Sequence, residues 1–191
     1  MQREPEFHPV VLLPPWAEVL DLSGPKPEPA KSHWSIGKYD ELRPGLYTTE
    51  LFGGRRHLHI GVDLGGPVGT AVHAFSEGRV LHQGYNPADG DYGHVVVTEH
   101  SLRGRTLFAL HGHLSQSSIG LRKPGETFSA GEVIGWLGAE GENGGWPPHV
   151  HFQLSWERPQ THDMPGAVDP ADRSRALRRY PDPRLVLGRL W

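Results

Sequence analysis

Between residues 57 and 157 short apolar runs alternate with glycine, asparagine, aspartate and proline. The runs at 71–74, 78–81, 94–98, 106–110, 132–136 and 149–154 are four to six residues long, rich in valine and phenylalanine, and bounded by turn formers. Such runs predict β-strands. Their separation by about 10–20 residues, with no sustained helical period, predicts an all-β sandwich or barrel. Upstream, Pro25, Pro27 and Pro29 oppose regular structure, so residues 1–35 are read as an extended N-terminal arm in which function does not reside. Downstream, the arginine-rich stretch 173–179 followed by Pro181 and Pro183 predicts a helical turn or two in a tail, residues 158–191, that packs on or flanks the domain at 36–157. No internal repeat is visible.

The length of 191 residues suits one domain with a substantial core, and 25 glycines suit a structure made of tight turns. A net charge of −3 provides no broad positive field, which argues against nucleic acid as a partner. There is no cysteine, so any metal must be held by histidine, aspartate or glutamate. No apolar run approaches the roughly 18 residues of a membrane span. The run Val10-Val-Leu-Leu13 ends at Pro14-Pro15 and does not make a signal peptide. The expected location is the cytoplasm, or the periplasm or exterior if a leader was removed.

The candidate chemistry lies in three clusters: His59-Ile-Gly-Val-Asp63, His111-Gly-His113 and His149-Val-His151. On a strand, residues four apart and residues two apart share a face, so His59 with Asp63 and His149 with His151 form two pairs that can converge on one ion. Three protein ligands and an open position make a catalytic zinc site. His59, Asp63 and one of the last pair would supply the three, for a single Zn2+.

These blocks, together with Gly69-Thr-Ala-Val-His-Ala-Phe-Ser-Glu-Gly-Arg-Val80, Tyr92-Gly-His-Val-Val-Val97 and Gly131-Glu-Val-Ile-Gly135, resemble the lysostaphin/LytM-type zinc metalloendopeptidases in the same order over about residues 55–157. The resemblance implies a small antiparallel β fold of the duplicated hybrid motif type with its site in a groove. It implies His59, Asp63 and His151 as zinc ligands and His113 and His149 as catalytic histidines, and it implies peptidoglycan peptides as the substrate class. The segments 36–43, 47–50 and 142–153 resemble the metallopeptidase-like module between phosphotransferase and class III aminotransferase domains in some fused proteins. That context widens the substrate to a cytosolic peptide, a muropeptide or another amide.

The chemistry is coherent with such a site. Zinc lowers the pKa of a bound water to about 7 and polarises a carbonyl. His149 would take the water's proton, and His113 would stabilise the oxyanion or protonate the leaving amine, with the two roles interchangeable at this level. His57, His73, His82, His94 and His100 read as packing or surface residues. His111 reads the same way, although its place two before His113 on the same predicted face gives the alternative that it lines the groove. Gly61, Gly69 and Gly78 read as turn or close-packing residues, and Trp146 either stacks over the groove mouth or caps the core. Two other functions compete. One is a non-catalytic binding module whose zinc takes a fourth ligand from Tyr47, Glu50 or Asn143. The other is a phosphohistidine carrier, for which Asp63 and a third histidine are superfluous.

Overall fold

A computed structural model describes residues 7–191. Its strands are β1 (Glu18–Val19), β2 (Ser35–Gly37), β3 (Glu41–Leu42), β4 (Leu58–His59), β5 (Val62–Gly65), β6 (Ala71–His73), β7 (Gly78–Asn86), β8 (Gly93–Leu102), β9 (Arg105–Leu114), β10 (Thr127–Phe128), β11 (Val133–Trp136), β12 (His149–Ser155) and β13 (Ala167–Val168). All six runs singled out from the sequence are strands, four of them longer than the apolar run itself. The long hairpin β7–β8–β9 carries the pairing past the apolar stretches on both sides.

Eight strands form one sheet in the order β1-β2-β5-β12-β9-β8-β7-β10, flanked by a two-stranded sheet, β11-β6, and a three-stranded sheet, β13-β4-β3. Among these pairings only β1 with β2 is parallel. The main sheet is buried on both faces, which explains why its strands read as near-continuous apolar runs. Along β9, Leu107 and Ala109 join one core with Val62, Leu64, Val150 and Phe152, where the β6 and β11 residues Val72 and Ile134 pack. Phe108 and Leu110 point the other way, into a core with Val95, Val97, Leu58 and Ile60. The period-two alternation therefore sends Asp63, His149 and His151, which lie between residues of the first core, to the second face.

The proline-rich start is more ordered than its composition predicts. Val10 and Val11 are buried in the first core, the His8 N–H donates to the Phe75 carbonyl, and the Val10 carbonyl accepts from the His73 N–H. The prolines are compatible with this because they lie outside the two-residue β1, which is an edge strand. The tail forms α1 (Arg173–Arg179) and α2 (Arg184–Leu187), and it docks Ala176 and Tyr180 in one core and Val186 in the other. Among the described residues no helix is long and apolar enough to cross a membrane.

Candidate metal centre

His59 Nε2, Asp63 Oδ1 and His151 Nδ1 form a triangle with edges of 3.0, 3.1 and 3.2 Å. His151 reaches it from β12, paired directly opposite Asp63 on β5. His59 and Asp63 meet by a route the sequence reading did not foresee. They do not share a strand face: His59 belongs to the three-stranded sheet and Asp63 to the main sheet. The chain turns from one sheet to the other at Ile60-Gly61, and the absence of a side chain at Gly61 makes room for the imidazole of His151. A Cβ there would lie 2.4 Å from His151 Cε1.

Each ligand's outer atom is committed elsewhere, which fixes the inner one. The Lys38 carbonyl, 2.9 Å from His59 Nδ1, can only accept, so Nδ1 carries the proton and Nε2 faces the triangle with a lone pair. His151 Nε2 donates to Gln153 Oε1 at 3.0 Å and leaves Nδ1 free. Burial, followed by the Arg43 charge, pulls the pKa of His59 to about 4, and Asp63 lies well below the usual carboxylate range despite its burial, because of His59 and Arg43. Three metal-ligating atoms thus face one point within 3.2 Å of each other. Donors bound at 2.0–2.1 Å around a tetrahedral ion lie about 3.3 Å apart, so the residues present fit a zinc ion.

His113 and His149 stand beside the triangle, with ring centroids 4.4 Å apart. His149 precedes His151 by two on the same face of β12, as the alternation requires, and its Nε2 is 3.7 Å from Asp63 Oδ1. Its Nδ1–H donates to the Pro147 carbonyl at 2.7 Å. His113 Nδ1–H donates to the Asn143 carbonyl, also at 2.7 Å. In both rings Nε2 is the atom left free. Burial lowers the pKa of each, that of His113 strongly, with the neighbouring histidine adding to the effect there.

His113 arrives by a backbone irregularity. The β8–β9 register slips between His94 and Val96, and His113 sits at φ +61°. A bulge of this kind re-aims a side chain. It turns His113 to the metal side and leaves His111 on the opposite face. His111 therefore does not line the groove: it is fully buried against Phe152, and its Nδ1–H donates to the Val96 carbonyl. His100 is likewise buried, and His57, His73, His82 and His94 are partly buried away from the triangle.

Several contributors escaped the sequence reading. Arg43 is 2% exposed, and its Nη1 donates to Asp63 Oδ2 at 2.6 Å. The only visible sign of it is a Glu-x-Arg pair of opposite charge two apart at 41 and 43. Gln153 orients His151, and Asn143 uses its amide on Gly138 and Trp146, which shapes the 138–146 loop. The Tyr47 hydroxyl accepts from Arg43 at 3.3 Å. Trp146 stands edge-on to both Tyr47 and His113, on the wall of a cavity of about 1100 Å³ that contains Asp63, His113, His149 and His151. Leu46, Tyr47, Leu51 and Phe52 form another wall of this cavity, and Trp16, Leu20 and the stretch 27–34 form a third, so the N-terminal arm belongs to the site's surroundings.

Residues 57–164 match the family model described as Peptidase family M23. Glycyl-glycine endopeptidase ALE-1 of Staphylococcus capitis is 33% identical over 130 residues, covering 66% of this chain and 33% of that protein. Peptidoglycan DD-endopeptidase ShyC of Vibrio cholerae is 32% identical over 118 residues, covering 60% of this chain and 25% of that protein. The chain thus spans a third or less of these relatives. The catalytic domain of lysostaphin from Staphylococcus simulans aligns with a TM-score of 0.48 and 23% identity over 74% of this chain and 92% of the domain.

Proposed function

The chain belongs to peptidase family M23, and from that premise we propose that it is a zinc-dependent metallopeptidase acting on a peptide of the peptidoglycan class. His59, Asp63 and His151 would hold one zinc ion, with His113 and His149 moving the protons. The observation that carries this reading is the convergence of three metal-ligating atoms within 3.2 Å, with the Nε2 atoms of two more histidines beside them. When bound, zinc supplies a Lewis acid and lowers the pKa of water from 15.7 to about 7. The substrate class is drawn from relatives named as glycyl-glycine and peptidoglycan DD-endopeptidases.

His149 Nε2 is the better first proton acceptor, because the Asp63 carboxylate 3.7 Å away stabilises the imidazolium once it forms. His113 Nε2, beside it, carries no proton of its own and would pass to the leaving amine one received from the water or from His149. Trp146 stands against His113, with Tyr47 behind it, and the two offer apolar faces that would exclude water from the scissile bond. Of the three side chains considered as a fourth ligand, the Asn143 amide is bonded into its loop, Tyr47 serves Arg43, and Glu50 is exposed and does not line the cavity. This favours a catalytic centre over a structural one.

The test uses the full chain and a panel of glycyl, D-alanyl and muropeptide substrates. Chelation should abolish hydrolysis and zinc should restore it. His149→Ala and His113→Ala should retain one zinc and lose about 10²–10⁴-fold in turnover. A chain that binds no zinc, or hydrolysis indifferent to chelator, refutes the reading.

A further inference from the structure

Arg43 is a fully charged group sunk behind the metal triangle, with every arm of its guanidinium in use. Nη1 donates to Asp63 Oδ2 at 2.6 Å and lies 3.3 Å from the Tyr47 hydroxyl. Nε donates to Glu41 Oε2 at 2.9 Å, and Nη2 donates to the Lys38 carbonyl at 3.1 Å. That carbonyl is the one that accepts from His59 Nδ1–H. One guanidinium therefore touches the second oxygen of one candidate ligand and the orienting carbonyl of another.

The surroundings leave this clamp little room to change. Glu41 is itself 6% exposed and is bridged by Lys38 Nζ at 3.1 Å, which makes an alternating chain of charges, Lys38, Glu41, Arg43, Asp63. Gly37, paired with Asp63 across β2 and β5, leaves open the space the clamp occupies. A Cβ on Gly37 would fall 2.7 Å from Asp63 Oδ2 and 2.8 Å from Arg43 Nη2. An arginine fork that holds one carboxylate oxygen leaves the other as a single, directed donor.

We propose that Arg43 is the positioning residue of the metal centre, holding Asp63 to one free oxygen and fixing His59 through the Lys38 carbonyl. This rests on the zinc reading above. A carboxylate kept monodentate preserves the vacant coordination position that hydrolysis needs, whereas a released Asp63 could bring both oxygens to the ion and fill it. Lysine cannot replace the arginine, because one ammonium cannot span Asp63, Lys38 and Glu41 together.

The experiment compares the full-length wild type with Arg43→Lys and Arg43→Met in the metal-free, zinc-loaded and cobalt(II)-loaded forms. Zinc affinity is read by competition with a chromophoric chelator, coordination by the visible absorption of cobalt(II), and folding by thermal melting of the metal-free protein. Both variants should lose about 10–100-fold in zinc affinity. Their cobalt spectra should shift to the weaker bands of a higher coordination number, which a merely structural role would not cause. If Arg43→Met fails to fold, Arg43→Lys, which keeps the buried positive charge, carries the test. A wild type that binds zinc, alongside a folded Arg43→Lys with unchanged affinity and an unchanged cobalt spectrum, overturns the positioning role and leaves the zinc reading standing. A wild type that binds no zinc overturns both.

Discussion

Gly61→Ala is a one-carbon change that should empty the metal centre. The added Cβ would lie 2.4 Å from His151 Cε1 and 2.5 Å from its Nε2, against ordinary contact from 3.4 Å, so the ring must retreat by about 1 Å. His151 Nε2 is tied to Gln153, and its Nδ1 closes a triangle with edges of at most 3.2 Å. A nitrogen displaced by about 1 Å from a bond of 2.0–2.1 Å no longer coordinates. With two donors left, zinc affinity should fall by on the order of 100-fold or more, at least about 2.7 kcal/mol. Crowding should cost the metal-free protein about 1–3 kcal/mol of stability. The backbone itself accepts alanine, because Gly61 is not among the positive-φ residues. Gly141→Ala is the control: a Cβ there meets nothing within 4 Å, and its φ is also ordinary. The assay is chelator competition for zinc on both variants, with metal-free melting curves beside it. A folded Gly61→Ala protein with wild-type zinc affinity would refute the geometric argument.

Acid should destabilise the fold through buried neutral histidines away from the metal. Burial pulls His100 to about 4 and His111 to about 3, from 6.5, so the unfolded chain takes up protons first as pH falls. Their contribution is complete above pH 6.5 and drains as pH falls from there toward 4 and 3, and the loss reaches about 2 kcal/mol each by about pH 5. In urea titrations across that range His111→Phe should flatten the decline by about that much, and an unchanged slope would count against it. Asn143→Ala removes three hydrogen bonds that shape the loop presenting its carbonyl to His113. It should cost about 2–3 kcal/mol of stability and lower turnover while zinc affinity, read by titration, stays put.

How much of this was legible beforehand depends on the element. His149 and His151 were placed correctly because β12 is a regular strand and period two holds throughout it. His59 and Asp63 were rightly paired for the wrong reason, since a corner between two sheets brings them together and spacing alone does not distinguish a corner from a continuous strand. The bulge at His113 inserts a residue into the register, which reverses the alternation beyond it, so His111 is the packing residue it was read as and the alternative that it lines the groove with His113 falls. Arg43 was hidden because a charged residue is ordinarily taken for surface, and its burial depends on Glu41 and Asp63, partners supplied by tertiary contact. In the N-terminal arm, prolines outweighed the short Val10-Val11 signal, although two buried valines and a two-residue edge strand are enough to hold the arm down.

The antiparallel pairing of β4 with β3 and β13 carries a consequence for where the candidate metal centre ends and the family match begins. The segment matched to peptidase family M23 starts at residue 57, yet the Arg43 clamp, the Lys38 carbonyl and the walls around Trp16, Trp34 and Tyr47 all precede it. The strand that pairs with His59 from the other side, Ala167–Val168, follows the segment's end at 164. Residues inside and outside the matched segment therefore meet at the candidate ligands themselves. A chimera in which the residues outside 57–164 came from a relative without the arginine would keep all five candidate site residues yet lose the Arg43 clamp, and its zinc affinity should fall as in Arg43→Lys.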